Sequence, residues 1–115
     1  MTTAPSRDQI ADQIAAELGH SFAGEMLAGG HYVPIVRDGR TLYTSGQVPR
    51  VGTTVVVTGR VGDAVSLEKA REGAQICALR CLTLLRRELG SLDGVEKVLR
   101  VGVFIQCTAE FTQQS

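Results

Sequence analysis

Leu42-Tyr43-Thr44-Ser45-Gly46-Gln47-Val48-Pro49 is a strand that ends abruptly. Thr41 to Ser45 has extended, strand-forming character. Gly46 interrupts it, which marks either a bulge or the close approach of another group to the backbone, and Pro49 closes the segment. Upstream, Tyr32, Val33, Ile35 and Val36 form another β-prone run. Pro34 withholds a ladder donor there and so assigns the run to a sheet edge. Asp38-Gly39 lies between the two runs and readily accepts positive φ, so a hairpin is predicted.

Downstream, Thr53 to Thr58 is a dense β-branched run that predicts a third strand, with Gly59, Gly62 and Asp63 marking a loop behind it. Leu67, Ala70, Ala74, Cys77, Ala78, Cys81, Leu82, Leu85 and Leu89 follow a 3.6-residue period and predict a core helix over 67–89. Ser66 can cap its start, Glu68 suits the positive end of its dipole, Arg86 and Arg87 suit the negative end, and Gly90 terminates it. After a turn at Leu92-Asp93-Gly94, the near-continuous apolar run Val98 to Gln106 predicts a strand buried on both faces.

At the N-terminus, Ser6-Arg7-Asp8-Gln9 has the form of a capping box, and Ile10, Ile14 and Leu18 give the following helix an apolar stripe that Gly19 ends. Residues 21–30 lose all period and predict a loop. The order is helix, three strands, long helix, buried strand, which predicts a single α+β domain over residues 1–115. One long helix covers only one face of such a sheet, so the bare face is expected to pack against other subunits.

Twelve Lys and Arg balance twelve Asp and Glu, giving a formal net charge of +0. Such a chain has no net field to gather phosphate backbones or anionic lipid. Two Tyr, three Phe and no Trp make a base-stacking platform hard to build, so nucleic acid is not the expected partner. Charged residues interrupt the first twenty positions, and no apolar run approaches the ~20 residues of a membrane span. A cytoplasmic protein is therefore expected. Cys77, Cys81 and Cys107 lack the paired spacing of a zinc ribbon or redox motif. Cys77 and Cys81 are spaced to share a metal on one helix face but lack two further ligands nearby, so packing as small hydrophobes is the expectation, with no metal and no cofactor.

This element order resembles the RidA/YjgF family. The resemblance rests on Tyr32 before the hairpin, Ser45-Gly46-Gln47-Val48-Pro49 after it, and Val101-Gly102-Val103-Phe104-Ile105 following the long helix. It covers residues 31–115. His31 to Val36 and the helix-led N-terminus look most like a longer subgroup of the family. The resemblance implies a chorismate-mutase-like fold, a six-stranded mixed sheet with helices packed on one face, assembled as a homotrimer through the other. It also implies intersubunit clefts that bind a small carboxylate ligand. Members with known activity hydrolyse reactive enamines or imines, of the 2-aminoacrylate type, to the oxo acid and ammonia. Other members are described as ribonucleases or translation inhibitors, readings that the neutral charge and scarce aromatics disfavour. The family pattern continues past the point matching Ser115 through a further helix and two strands, which carry an Arg that pairs with the substrate carboxylate and an acidic residue that positions water. Neither has a counterpart here, so no catalytic residue is assigned, and a chain ending at Ser115 is expected to leave a sheet edge unpaired.

By the same resemblance Tyr32, Ser45, Gly46 and Ser115 are the candidate substrate-binding residues. Tyr32 would turn its hydroxyl to the ligand; otherwise it is an edge-strand aromatic with a wet tip. Ser45 and Gly46 would line the cleft, with the Gly46 backbone open to an oxyanion or carboxylate. Ser115 falls near a position that often holds Asn. Ser45 is not expected to be a nucleophile, because no motif places His20 or His31 as its base. Arg37, Arg40, Arg50 and Arg60 form either a basic rim or solvated loop charge. Gly59-Arg60-Val61-Gly62 lacks the Lys and the strand-to-helix placement of a phosphate loop. A metabolite-binding or chaperone-like member without turnover is the alternative to the deaminase.

Overall fold

The structure, a computed structural model, describes residues 4–22 and 32–114. The predicted loop falls mostly outside them, as does Ser115.

Helix α1 spans Arg7–Leu18 and starts in the predicted capping box: the Ser6 hydroxyl accepts from the Gln9 N–H, and the Gln9 side chain accepts from the Ser6 N–H. Gly19, at φ +76°, ends it in the left-handed conformation. No α1 residue is buried, and the helix is fastened mainly through polar groups. Arg7 Nη1 donates to the Leu92 carbonyl at 3.1 Å, the Asp8 carboxylate accepts from the Leu92 N–H at 2.8 Å, and Arg86 grips Asp12 at 2.7 and 3.3 Å.

The predicted hairpin forms from β1, Ile35–Asp38, and β2, Thr41–Thr44, in antiparallel register from Ile35 opposite Thr44 to Asp38 opposite Thr41. Its two-residue connection is Gly39-Arg40, one residue later than the predicted Asp38-Gly39 pair, because Asp38 pairs with Thr41 in the ladder. Gly39 takes φ +60° while Arg40 does not, which is the first-position glycine of a II′ turn. The Ser45 N–H donates to the Pro34 carbonyl at 2.8 Å and carries the pairing one step further.

The third predicted strand is mostly absent. Of Thr53 to Thr58, Thr54–Val55 (β4) pairs with the two-residue strand Arg50–Val51 (β3), and the Val56 N–H adds one bond to the Pro49 carbonyl at 2.9 Å. The partner is short because Pro49 has no N–H to continue the ladder. Val57 turns instead onto helix α2, Leu67–Leu89, where a Cβ on Gly73 would stand 3.3 Å from Val57 Cγ2. Glycine permits this close approach.

Helix α2 keeps its predicted ends: Ser66 caps Lys69 N–H, and Gly90 at φ +84° closes it. Its buried face differs from the predicted one. Gly73, Ile76, Leu79, Arg80 and Leu84 are buried, whereas Ala74 and Ala78 are exposed. The helix is rotated because the loop around Val57 and the segment from Gln47 to Arg50 pack on the Gly73–Arg80 side. Val61, Val65 and Leu92 complete a small core with Ile76, Leu79 and Leu84.

A 3₁₀ turn, Leu92–Gly94, follows. The predicted strand Val98 to Gln106 is not formed. This segment belongs to no ladder, and Val98, Leu99, Val101, Val103 and Phe104 are 66–99% exposed. Apolar side chains cannot make a strand without a neighbouring backbone to bond. Pairing begins only at its end, where Val61 N–H donates to the Gln106 carbonyl and Thr108 N–H to the Val61 carbonyl. Among the described residues the fold is therefore α+β, with two helices and two separate two-stranded antiparallel sheets. No described helix is long and apolar enough to cross a membrane.

Candidate functional site: an arginine-lined cleft

The end of the hairpin delivers the chain to α2. After Ser45 the segment Gly46–Arg50 crosses the helix at Arg80, and a cleft of about 260 Å³ opens there, lined by Tyr32, Gly46, Gln47, Val48, Arg50 and Arg80.

Arg80 is the organising group. It lies four residues from both Ile76 and Leu84, hence on the face that α2 buries, and it is only 4% exposed. A buried guanidinium must be held by hydrogen bonds or its desolvation is ruinous. Arg80 Nε donates to Gln47 Oε1 at 2.9 Å, and Nη1 donates to the Arg50 carbonyl at 3.0 Å. No hydrogen bond to Nη2 is present among the described residues. Burial, and next the charge of Arg50, hold the Arg80 pKa below its ordinary value, though a guanidinium remains protonated at any physiological pH.

Gln47 couples this helix residue to the strand end. Its amide nitrogen donates to Ser45 Oγ at 3.0 Å and to the Ser45 carbonyl at 3.3 Å, while its amide oxygen faces Arg80. The Ser45 hydroxyl thus holds Gln47 and, among the described residues, has no base hydrogen-bonded to it. His20 turns to α2 elsewhere, with Nε2 at 3.6 Å from Glu72 Oε1, and His31 lies outside the described residues.

Tyr32 and Gly46, two of the candidates named from the sequence, line the cleft. A Cβ on Gly46 would meet nothing within 4 Å among the described residues, so its backbone borders open space there. Ser45 stands behind Gln47, and Ser115 lies outside the described residues. Of the four scattered arginines only Arg50 reaches the cleft. Arg37 faces Glu88, Arg40 faces Glu96 and Arg60 faces Asp63. Arg50 Nε is removed from solvent with no hydrogen-bond partner among the described residues.

Arg80 was missing from the sequence reading. Its signal was a charged residue on the apolar side of a helix, one turn from Ile76 and from Leu84, which choosing the face through Ala74 and Ala78 concealed. Cys77, Cys81 and Cys107 are free and partly buried. Burial, and then the neighbouring Cys81, raise the Cys77 pKa, so it is a neutral thiol near pH 7. No described cluster of His, Cys, Asp and Glu is suited to a metal ion.

No family model matches the chain. Over 98 residues it is 33% identical to Protein TCP17 of Trypanosoma cruzi, a match that takes in 85% of this chain and 61% of TCP17. The chain thus spans about three fifths of that relative's length. The crystal structure of Atu1372, a protein of unknown function from Agrobacterium tumefaciens, matches with a TM-score of 0.72 at 30% identity, covering 93% of this chain and 67% of that one. The chain belongs to the family of Atu1372. The likeness extends to both sequence and fold.

Proposed function

We propose that this chain supplies one wall of a cleft that binds small carboxylate-bearing metabolites of the oxo-acid, enamine and imine class. The observation that carries the reading is the buried Arg80, held by Gln47 and the Arg50 carbonyl beside Tyr32 and the open backbone of Gly46. A planar guanidinium in a dry site is the natural partner of a planar carboxylate, and a cleft of about 260 Å³ suits a metabolite of a few carbons.

The resemblance to RidA/YjgF proteins supports the same class of ligand. In that reading the chain takes a chorismate-mutase-like arrangement, and neighbouring copies in a homotrimer complete the cleft. The exposed apolar surface favours such assembly: Val36 and Tyr43 stand opposite each other in the hairpin at 54% and 59% exposure, and Val98 to Phe104 is uncovered. With the carboxylate anchored, water adds to the imine carbon and the C–N bond then breaks, giving the oxo acid and ammonia. The groups of this chain bind and orient the substrate.

One observation favours a second reading, a metabolite binder without turnover. Among the described residues the cleft lining contains neither a carboxylate nor an imidazole, the usual carriers of protons in hydrolysis. Calorimetric titration with 2-oxobutyrate and an assay of oxo-acid release from 2-aminoacrylate separate the outcomes. Binding that Arg80→Met abolishes supports the site, and release above the uncatalysed rate selects the deaminase. No binding by a folded chain removes both readings.

A further inference from the structure

The cleft holds more positive charge than one carboxylate needs. Arg50 and Arg80 both line it and, among the described residues, no Asp or Glu does, whereas Arg37, Arg40, Arg60 and Arg86 each face a carboxylate. The two cations are close enough to repel: both line the one cleft, Arg80 Nη1 bonds the Arg50 backbone carbonyl at 3.0 Å, and the charge of Arg50 helps to lower the Arg80 pKa. Arg80 retains donor capacity, using Nε and Nη1 but not Nη2 among the described residues, and no hydrogen bond or ion pair among them occupies the Arg50 guanidinium. Arg80 cannot withdraw to water, because it is 4% exposed and tied at two nitrogens. One carboxylate satisfies one guanidinium fork and leaves the other cation repelled and unneutralised. Two carboxylates on a short carbon chain neutralise both.

We infer that the Arg50–Arg80 cleft selects ligands with two negative charges, so that a short oxo dicarboxylate binds in preference to an oxo monocarboxylate. This inference rests on the oxo-acid reading above and narrows its substrate class. Arg50 is the specificity-determining residue, while Arg80 anchors the carboxylate common to both ligands.

The test is calorimetric titration of the intact chain, at fixed ionic strength, with 2-oxoglutarate, 2-oxobutyrate and sulfate. The expected result is 2-oxoglutarate binding about tenfold or more tighter than 2-oxobutyrate, the scale of one added charge-assisted bond. Arg50→Gln should bring the ratio of the two constants close to one, and Arg50→Lys should keep the preference. Taking the ratio within each variant cancels any loss of folded protein. Equal affinities in the unmodified chain, or a ratio unchanged in Arg50→Gln, overturn the inference and leave the oxo-acid reading standing. Sulfate binding as tightly as 2-oxoglutarate overturns it in favour of a compact dianion. Failure of all three to bind removes the underlying reading as well.

Discussion

Arg80 Nε donates to Gln47 Oε1 across 2.9 Å, linking the buried face of the long helix to the segment that follows the hairpin. The bond fixes the guanidinium, and the Gln47 amide nitrogen then fixes the strand end through Ser45. Replacing Gln47 by Leu leaves a buried Nε–H and the Ser45 acceptors without their partner. The expected cost is about 1–3 kcal/mol, read as a lower urea midpoint with an unchanged slope. Gln47→Glu keeps an acceptor for Arg80 and is expected to retain more of the stability, while its carboxylate competes with an anionic ligand and weakens binding.

Gly46 separates binding from stability. The space beside it is open and its φ is not positive, so Gly46→Ala should change stability by no more than about 0.5 kcal/mol. The added methyl borders the cleft, and the affinity for 2-oxobutyrate is expected to fall several-fold by calorimetry.

Gly73 measures how closely the Val57 loop lies on the helix. Alanine there gains about 1 kcal/mol of helix propensity but brings its Cβ to 3.3 Å from Val57 Cγ2, so the two effects nearly cancel. Gly73→Val adds branched bulk at the same contact and is expected to destabilise by about 1–3 kcal/mol. Thermal melts of the two variants, measured together, give the comparison.

Gly62 has stricter demands. It takes φ +93°, and a Cβ would stand 2.6 Å from Thr108 Oγ1. Gly62→Ala therefore meets both backbone strain and a clash, at an expected cost of about 1–3 kcal/mol. Thr108→Ala in the same chain should recover part of this loss, leaving the strain.

Asp8 links acidity to the docking of α1. The Leu92 N–H, and next Ser91, hydrogen-bond its charged form, so its pKa in the folded chain lies below the ordinary 3.8. As pH falls the unfolded chain takes up this proton first. The stabilisation is complete well above 3.8 and is lost as pH falls through the lower folded value. Asp8→Asn should lower stability at pH 7 and flatten the acid limb of a plot of stability against pH.

Much of this architecture was legible in local chemistry. The capping box at Ser6, the caps of α2 at Ser66 and Gly90, and the glycine turn of the first hairpin each depend on a few adjacent residues, and each formed where its chemistry required. Thr53 to Thr58 and Val98 to Gln106 were misread for a common reason. A strand needs a partner backbone, and neither β-branching nor apolarity supplies one. The site was half legible. Tyr32 and Gly46 flank a recognisable hairpin, but Arg80 reaches them from far along the chain, well beyond either residue. Only the orientation of α2 brings it there, and the apolar period had suggested a different face.

The most direct test of the carboxylate cleft is nuclear magnetic resonance of the nitrogen-15-labelled chain, following the Arg80 Nε–Hε and Gly46 amide signals during titration with 2-oxobutyrate. Both should shift together along one saturable curve, and the Gly46 response should disappear in Arg80→Met. Signals that stay fixed while the ligand shifts residues elsewhere, or a Gly46 response that survives in the folded variant, would contradict a carboxylate site built on Arg80.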